Sequence, residues 1–137
     1  MDEKMKHLEF IQNVITRMNS NSFLLKGWAV TLVSALFALA AKDANPLYAY
    51  ISYIAIPMFW ILDGFFLSQE RQYRLLYEHV RIMQNQQIDF SMDARPFKNS
   101  WSSWPTSIWS ATFRVFYLTL ISITVLVMVI MFVLKCK

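Results

Sequence analysis

The fold of this chain is decided by residues 22–67, SFLLKGWAVTLVSALFALAAKDANPLYAYISYIAIPMFWILDGFFL. Two apolar runs, 22–41 and 46–67, flank a short polar turn, Lys42–Asn45, and each run contains one charged residue. As a helix, each run is about 30 Å long, which is the thickness of the hydrocarbon core of a bilayer. Because the turn is so short, the stretch predicts an antiparallel hairpin of two transmembrane helices.

The two charges of the hairpin are Lys26, near the start of the first helix, and Asp63, near the end of the second. In an antiparallel hairpin these ends lie on the same side of the membrane, so the two side chains are predicted at a similar depth. A charge inside a bilayer is costly and usually pairs or reaches the interface. We predict an ion pair between them; the alternative is that Lys26 extends to the headgroups, where Asp63 already lies. Pro57, inside the second helix, is predicted to bend it.

Small residues recur at helical spacing along one face of the first transmembrane helix. Such faces let helices pack closely in lipid, where there is no hydrophobic effect between helices. The pattern is consistent with packing inside the hairpin, with contact between subunits, or with the lining of a narrow pore. The residues are Gly27, Thr31, Ser34, Ala35 and Ala38.

Amphipathic helices are predicted on both sides of the hairpin, over residues 1–21 and 68–86. The first is expected to end or bend at Asn19–Ser22, where one residue caps the next helix. The second continues the helix that begins at Pro46, because no helix breaker appears between Leu67 and about Gln86. Their apolar faces are predicted to meet below the membrane as a cytoplasmic helical stalk. These faces contain Leu8, Ile11, Ile15 and Met18 in the first, and Tyr73, Leu76, Val80 and Met83 in the second.

The rest of the chain is predicted to be a cytoplasmic or interfacial loop, 87–107, followed by a third transmembrane helix, 108–135. Prolines, serines and asparagine argue against a continuous helix in the loop. The apolar run Val115–Leu134 contains no charge at all. Three tryptophans nearby are typical of the aromatic belt at a membrane interface; they are Trp101, Trp104 and Trp109.

The composition also favours a membrane protein. Hydrophobic residues make up 56% of the 137 residues and charged residues 16%, which is more apolar and less charged than a soluble domain. The single cysteine, Cys136, excludes an intrachain disulfide and a thiolate metal cluster, and neither a metal nor a cofactor is expected. The net charge of +4 is small for a protein that binds nucleic acid, and no direct nucleic-acid partner is expected.

The distribution of lysine and arginine predicts the orientation. With the N-terminus in the cytoplasm, nine of these residues lie inside and three outside, as the positive-inside rule requires. The C-terminus is then periplasmic. The inside residues are Lys4, Lys6, Arg17, Arg71, Arg74, Arg81, Arg95, Lys98 and Arg114; the outside residues are Lys42, Lys135 and Lys137.

One pattern bears on catalysis, the spacing of Arg74 and His79 in RLLYEH. It resembles the motif of HEPN ribonucleases, in which paired Arg and His residues of two subunits cleave RNA. A polar residue usually follows the Arg in that family, whereas Leu75 follows it here. Positions five apart on a helix point about 140° from each other. A solvated helix face with ion pairs is the preferred interpretation, and no enzyme is predicted.

The order of parts resembles the SLATT group of small bacterial membrane proteins. The resemblance lies in residues 7–41, HLEFIQNVITRMNSNSFLLKGWAVTLVSALFALAA, and residues 59–81, FWILDGFFLSQERQYRLLYEHVR. It extends to small membrane accessories of RNA-targeting CRISPR systems and of RADAR antiviral systems. The third transmembrane helix departs from a plain two-helix layout. The resemblance implies an oligomer that permeabilises the inner membrane when an infection sensor fires.

The sequence as a whole therefore predicts an all-α, three-span protein of the bacterial inner membrane that forms a homo-oligomer. Its expected function is effector or accessory in antiphage defence, through a pore or channel. A first alternative is a non-conducting membrane anchor that recruits a cytoplasmic defence partner to the stalk. A second is a membrane-bound HEPN-like ribonuclease.

Overall fold

The computed structural model describes residues 3–43 and 45–137, and within them every regular element is helical. Two long helices come first, α1 (Glu3–Asp43) and α2 (Leu47–Ile82). Two short 3-10 turns, Asn85–Gln87 and Arg95–Phe97, then lead to the short helix α3 (Trp104–Ile108) and to α4 (Ala111–Lys135). The first two residues of the predicted 1–21 segment, and Ala44 of the predicted turn, lie outside the described residues.

The sequence predicts that the first helix ends or bends at Asn19–Ser22. Helix α1 is continuous through these residues, so an end there, with one residue as a cap, is wrong. The physical reason is a line of buried side chains at intervals of three, four or seven residues along the whole helix. Such spacing keeps one face against a neighbouring helix, and tertiary packing outweighs the weak helix propensity of asparagine and serine. The buried residues are His7, Ile11, Ile15, Ser22, Ala29, Val33, Leu36 and Ala40.

Helix α2 returns along α1, and the pair makes the most extensive helix–helix contact in the part of the chain that the structure describes. At about 1.5 Å per residue, α1 is about 60 Å long and α2 about 54 Å, so each is nearly twice as long as a bilayer core is thick. One helix over residues 47–82 agrees with the predicted continuation beyond residue 67, although it ends at Ile82 and not at Gln86.

One end of the helix pair encloses an apolar cluster, which we call the Ile11 cluster: Ile11, Ile15, Leu76, Val80 and Ala94. The two predicted apolar faces therefore meet, and the segment after α2 covers them through Ala94. A histidine fixes this segment to α1, because the buried ring of His7 lies with Nε2 2.9 Å from the carbonyl oxygen of Ser91.

The other end is completed by α4, which packs on α2 through a second cluster. This Tyr117 cluster contains Phe113, Tyr117 and Leu120 of α4, together with Ala29 and Val33 of α1 and Ile56 of α2. The buried positions of α4 recur every three or four residues, the pattern of a helix with one packed face. The hydroxyl of Ser110 caps the helix by accepting a hydrogen bond from the backbone of Phe113.

The segment between α2 and α4 folds back onto α2, and its tryptophans hold it there. The indole Nε1 of Trp104 donates to the carbonyl oxygen of Ile61 at 3.0 Å, and Trp60 of α2 donates to that of Ile108 at 2.8 Å. Gly64 makes this approach possible, because a Cβ there would lie 2.4 Å from Ile108 Cγ1. The predicted interruption of the helix before α4 is present as these short helices and turns.

Helices α1, α2 and α4 are each long and apolar enough to cross a membrane. Their outer surfaces carry large apolar side chains that no other part of the described chain covers, such as Phe23, Trp28, Val115 and Phe132. Large exposed apolar surface of this kind marks a membrane or protein contact. The architecture is consistent with a multi-pass membrane protein, and these three helices are its candidate spanning segments.

Candidate functional site

A buried carboxylate joins the three long helices. Asp63 of α2 is fully inaccessible and accepts hydrogen bonds from side chains of the other two long helices, α1 and α4. Ser22 of α1 donates to Oδ1, while Lys26 of α1 and Tyr117 of α4 donate to Oδ2 at 2.7 and 2.8 Å. We call these four residues the polar centre.

Lys26 lies against Asp63, at 2.7 Å, so the structure brings together the two charges that the sequence singled out. The ammonium also donates to Ser22 Oγ at 2.8 Å and lies 4.1 Å from the centroid of the Phe113 ring. A cation over an aromatic face gains about 0.5–2 kcal/mol, more where water is excluded. The lysine side chain keeps 19% of its surface exposed, whereas that of Asp63 keeps none.

Tyr117 belongs to the polar centre but was not among the residues that the sequence singled out. Its ring stacks on Trp60, with centroids 5.6 Å apart and planes 8° from parallel, and this fixes its hydroxyl beside Asp63. A signal was available, because a tyrosine hydroxyl inside an apolar helix needs a hydrogen-bond partner. The sequence does not identify the acceptor, because Asp63 lies 54 residues away and the pairing depends on how α4 packs on α2.

The polar centre leaves neither carboxylate oxygen of Asp63 without a hydrogen-bond partner. One positive and one negative charge cancel, and three donors bond to a carboxylate that has no contact with solvent. Such a group stabilises a defined arrangement of helices only while every partner is present. The polar centre thus fixes the register of α1, α2 and α4 relative to one another.

The small-residue stripe of α1 is a second candidate site, and all of it is exposed. The stripe consists of Gly27, Thr31, Ser34, Ala35 and Ala38. A Cβ added at Gly27 would meet no atom within 4 Å. The hydroxyl of Thr31 donates to the carbonyl oxygen of Gly27 at 2.8 Å, so it is satisfied within the helix.

The hairpin packs through a different face of α1, formed by Ala29, Val33, Leu36 and Ala40. At 100° per residue, this face points about 180° away from the stripe. Of the three roles that the sequence left open for the stripe, packing inside the hairpin is therefore wrong. Contact between subunits and the lining of a pore remain.

The structure does not bring Arg74 and His79 together. Arg74 pairs with Glu70 of the preceding helical turn, at 2.7 Å. The ring of His79 lies 5.3 Å from that of Phe97. Arg74 and His79 lie on the same helix but contact different residues, as on a solvated helix face with local ion pairs.

Pro57 lies in the interior of α2, which continues on both sides of it. Within residues 3–43 and 45–137, no three histidine, cysteine or acidic side chains lie close enough together to hold a metal ion.

No protein-family model, curated protein or solved structure matches this chain.

Proposed function

We propose that this protein assembles into a homo-oligomer in the bacterial inner membrane and forms a pore or channel there, as an effector or accessory of antiphage defence. The observation that supports assembly is the exposed stripe of small residues on α1, opposite the face that packs the hairpin. In lipid, such a face gains van der Waals contact only against another helix. The defence role is supported by the resemblance to SLATT proteins.

The polar hydroxyls of the stripe support a conducting assembly. Thr31 and Ser34 are exposed in the single chain and belong to the stripe of small residues. In a ring of subunits, one flank of the stripe packs against the neighbour while the hydroxyls face the axis. A narrow, hydroxyl-lined pore follows from that geometry.

In this proposal the Ile11 cluster lies in the cytoplasm, as the core of a helical stalk. The lysine and arginine count supports this side, because most basic residues lie on the Ile11-cluster half or in the loop that follows it. The same stalk supports the rival function, a non-conducting anchor that holds a cytoplasmic defence protein, because α1 and α2 extend well beyond the thickness of a bilayer.

Adding bulk to the stripe is expected to weaken assembly without unfolding the chain. The double variant Ala35→Leu with Ala38→Leu changes two exposed residues, so the packing within one chain stays intact. We expect the dissociation constant of the oligomer to rise about tenfold or more, because the neighbouring backbone is held off. Native gel sizing measures assembly, and a potential-sensitive dye measures membrane depolarisation in expressing cells.

The matched control is Ile54→Phe, which adds bulk at an exposed position of α2 and leaves the stripe of α1 unchanged. It should leave both size and depolarisation unchanged. An unchanged oligomer in the double variant would contradict the stripe as the subunit contact. Loss of the oligomer with normal protection against phage would favour the anchor over the pore.

The proposed topology predicts that the two ends of the chain lie on opposite sides of the membrane. A periplasm-active phosphatase fused after Lys137 should be active, and the same enzyme fused before Met1 should be inactive. Both ends on one side would contradict three spanning helices. The reversed result would keep the three spans and overturn the orientation.

A further inference from the structure

One face of α4 is unused by the rest of the chain and forms an apolar furrow of about 640 Å³. It runs from Ala111 at the start of the helix to Leu126, about 22 Å along the axis. This face lies away from the buried residues Phe113, Tyr117 and Leu120 that pack on α2. The furrow therefore opens toward the lipid in a membrane-inserted chain.

Two residues with hydroxyl groups, Thr119 and Ser122, line the furrow, and both hydroxyls are already satisfied. Thr119 donates to the carbonyl oxygen of Val115 at 2.6 Å, and Ser122 donates to that of Leu118 at 2.8 Å. Neither hydroxyl requires a polar partner from outside the helix. A hydrocarbon chain can occupy the furrow without desolvating an unpaired polar group.

One end of the furrow carries a cation. Arg114 lines it, and no hydrogen bond or ion pair to the guanidinium occurs within residues 3–43 and 45–137. The uncharged run Val115–Leu134 begins directly after it, so Arg114 lies at the boundary between hydrocarbon and headgroups. A guanidinium at that depth matches a phosphate group, to which it can donate two parallel hydrogen bonds.

We infer that this furrow binds one anionic phospholipid, with its phosphate on Arg114 and an acyl chain along Leu118, Ser122 and Leu126. Charge complementarity selects this occupant, because an apolar helix contact alone leaves the guanidinium unpaired. The length of the furrow exceeds the half-thickness of a hydrocarbon core, which is the depth that one acyl chain spans. The inference depends on the membrane insertion of α4 and not on the pore.

Native mass spectrometry of the purified full chain tests the inference, with dioleoyl phosphatidylglycerol and dioleoyl phosphatidylcholine as probes. We expect the wild-type chain to retain phosphatidylglycerol about fivefold better than phosphatidylcholine. This ratio is the effect of one basic residue at a membrane surface. Arg114→Gln should abolish the preference. Ser122→Phe, which fills the furrow at constant charge, should lower the retention of both lipids.

The matched control is Lys135→Gln, which removes one charge at the opposite end of α4 and should leave the preference intact. Equal retention of the two lipids by the wild-type chain, or an unchanged preference in Arg114→Gln, would overturn the inference. Disulfide cross-linking between two copies of a Thr119→Cys, Cys136→Ser chain would show a second subunit in the furrow instead. Failure of the stripe variants to disrupt assembly would leave the lipid site unaffected, so the two proposals fail independently.

Discussion

Lys26→Met is expected to lower the free energy of unfolding by about 3–5 kcal/mol, the usual cost of removing one partner of a buried ion pair. The loss is large because Asp63 is fully buried and loses the ammonium group that pairs with it. The hydroxyls of Ser22 and Tyr117 still donate to it, which limits the loss but does not neutralise the carboxylate.

Asp63→Leu is expected to cost less, about 2 kcal/mol, although it removes three hydrogen bonds. The lysine left behind is partly exposed and can extend toward the headgroups. Tyr117 has a second acceptor in the carbonyl oxygen of Phe59, at 3.4 Å, and Ser22 can bond to its own helix. The two single variants are expected to lose different amounts of stability because Asp63 is fully buried whereas Lys26 is partly exposed.

The double variant Lys26→Met with Asp63→Leu should recover much of the stability, since apolar residues can replace a buried pair at little cost. Reversible unfolding of the purified chain in mixed micelles with increasing sodium dodecyl sulfate measures all three variants. Tyr117→Phe is the control that removes one donor and no charge. Losses that add in the double variant would show that the two charges are not energetically coupled.

The sequence predicted the three long apolar helices because their signal is local: runs of about 20 apolar residues bounded by polar turns. It also placed Lys26 opposite Asp63, because a short turn fixes the relative depth of the two helices. The continuity of α1 through Asn19–Ser22 was missed because residue propensity was given more weight than the spacing of buried positions. That spacing was present in the sequence and extends from Ile11 to Ala40.

Whether the small-residue stripe faces α2 or lies exposed was not predictable from α1 alone. Two faces of that helix carry small residues, one with Ala29 and Ala40 and the other with Ala35 and Ala38. Only the position of α2 decides which face is buried, and that depends on contacts distant in sequence. The same holds for Tyr117, whose partner Asp63 lies 54 residues away.

The tryptophan belt was placed at the membrane interface from its composition, but its contacts with α2 were not predicted. They depend on Gly64, which carries no side chain and lets the backbone of α3 approach α2. Glycine in an apolar helix has several meanings, including close packing, and the sequence does not distinguish them. The structure does so by showing Ile108 directly over Gly64.

Gly64→Val is therefore expected to displace α3 from α2 and to lower the free energy of unfolding by about 2–3 kcal/mol, the upper part of the range for overpacking. Even the first added atom, Cβ, would lie 2.4 Å from Ile108 Cγ1 and 3.2 Å from Ile108 Cα. The side-chain atom can rotate away, but the backbone atom can move only with the helix. The hydrogen bond from Trp60 to the carbonyl oxygen of Ile108 should then weaken.

Hydrogen exchange of residues 101–110 measures the displacement, and we expect faster exchange there with little change in residues 11–40. The only other glycine, Gly27, provides the control. Gly27→Ala meets no atom within 4 Å and exchanges glycine for a better helix former, so the single chain should gain up to about 1 kcal/mol. Equal exchange of residues 101–110 in Gly64→Val and wild type would contradict the close approach of α3. A loss of stability in Gly27→Ala that depends on protein concentration would instead reveal a contact between subunits at the stripe.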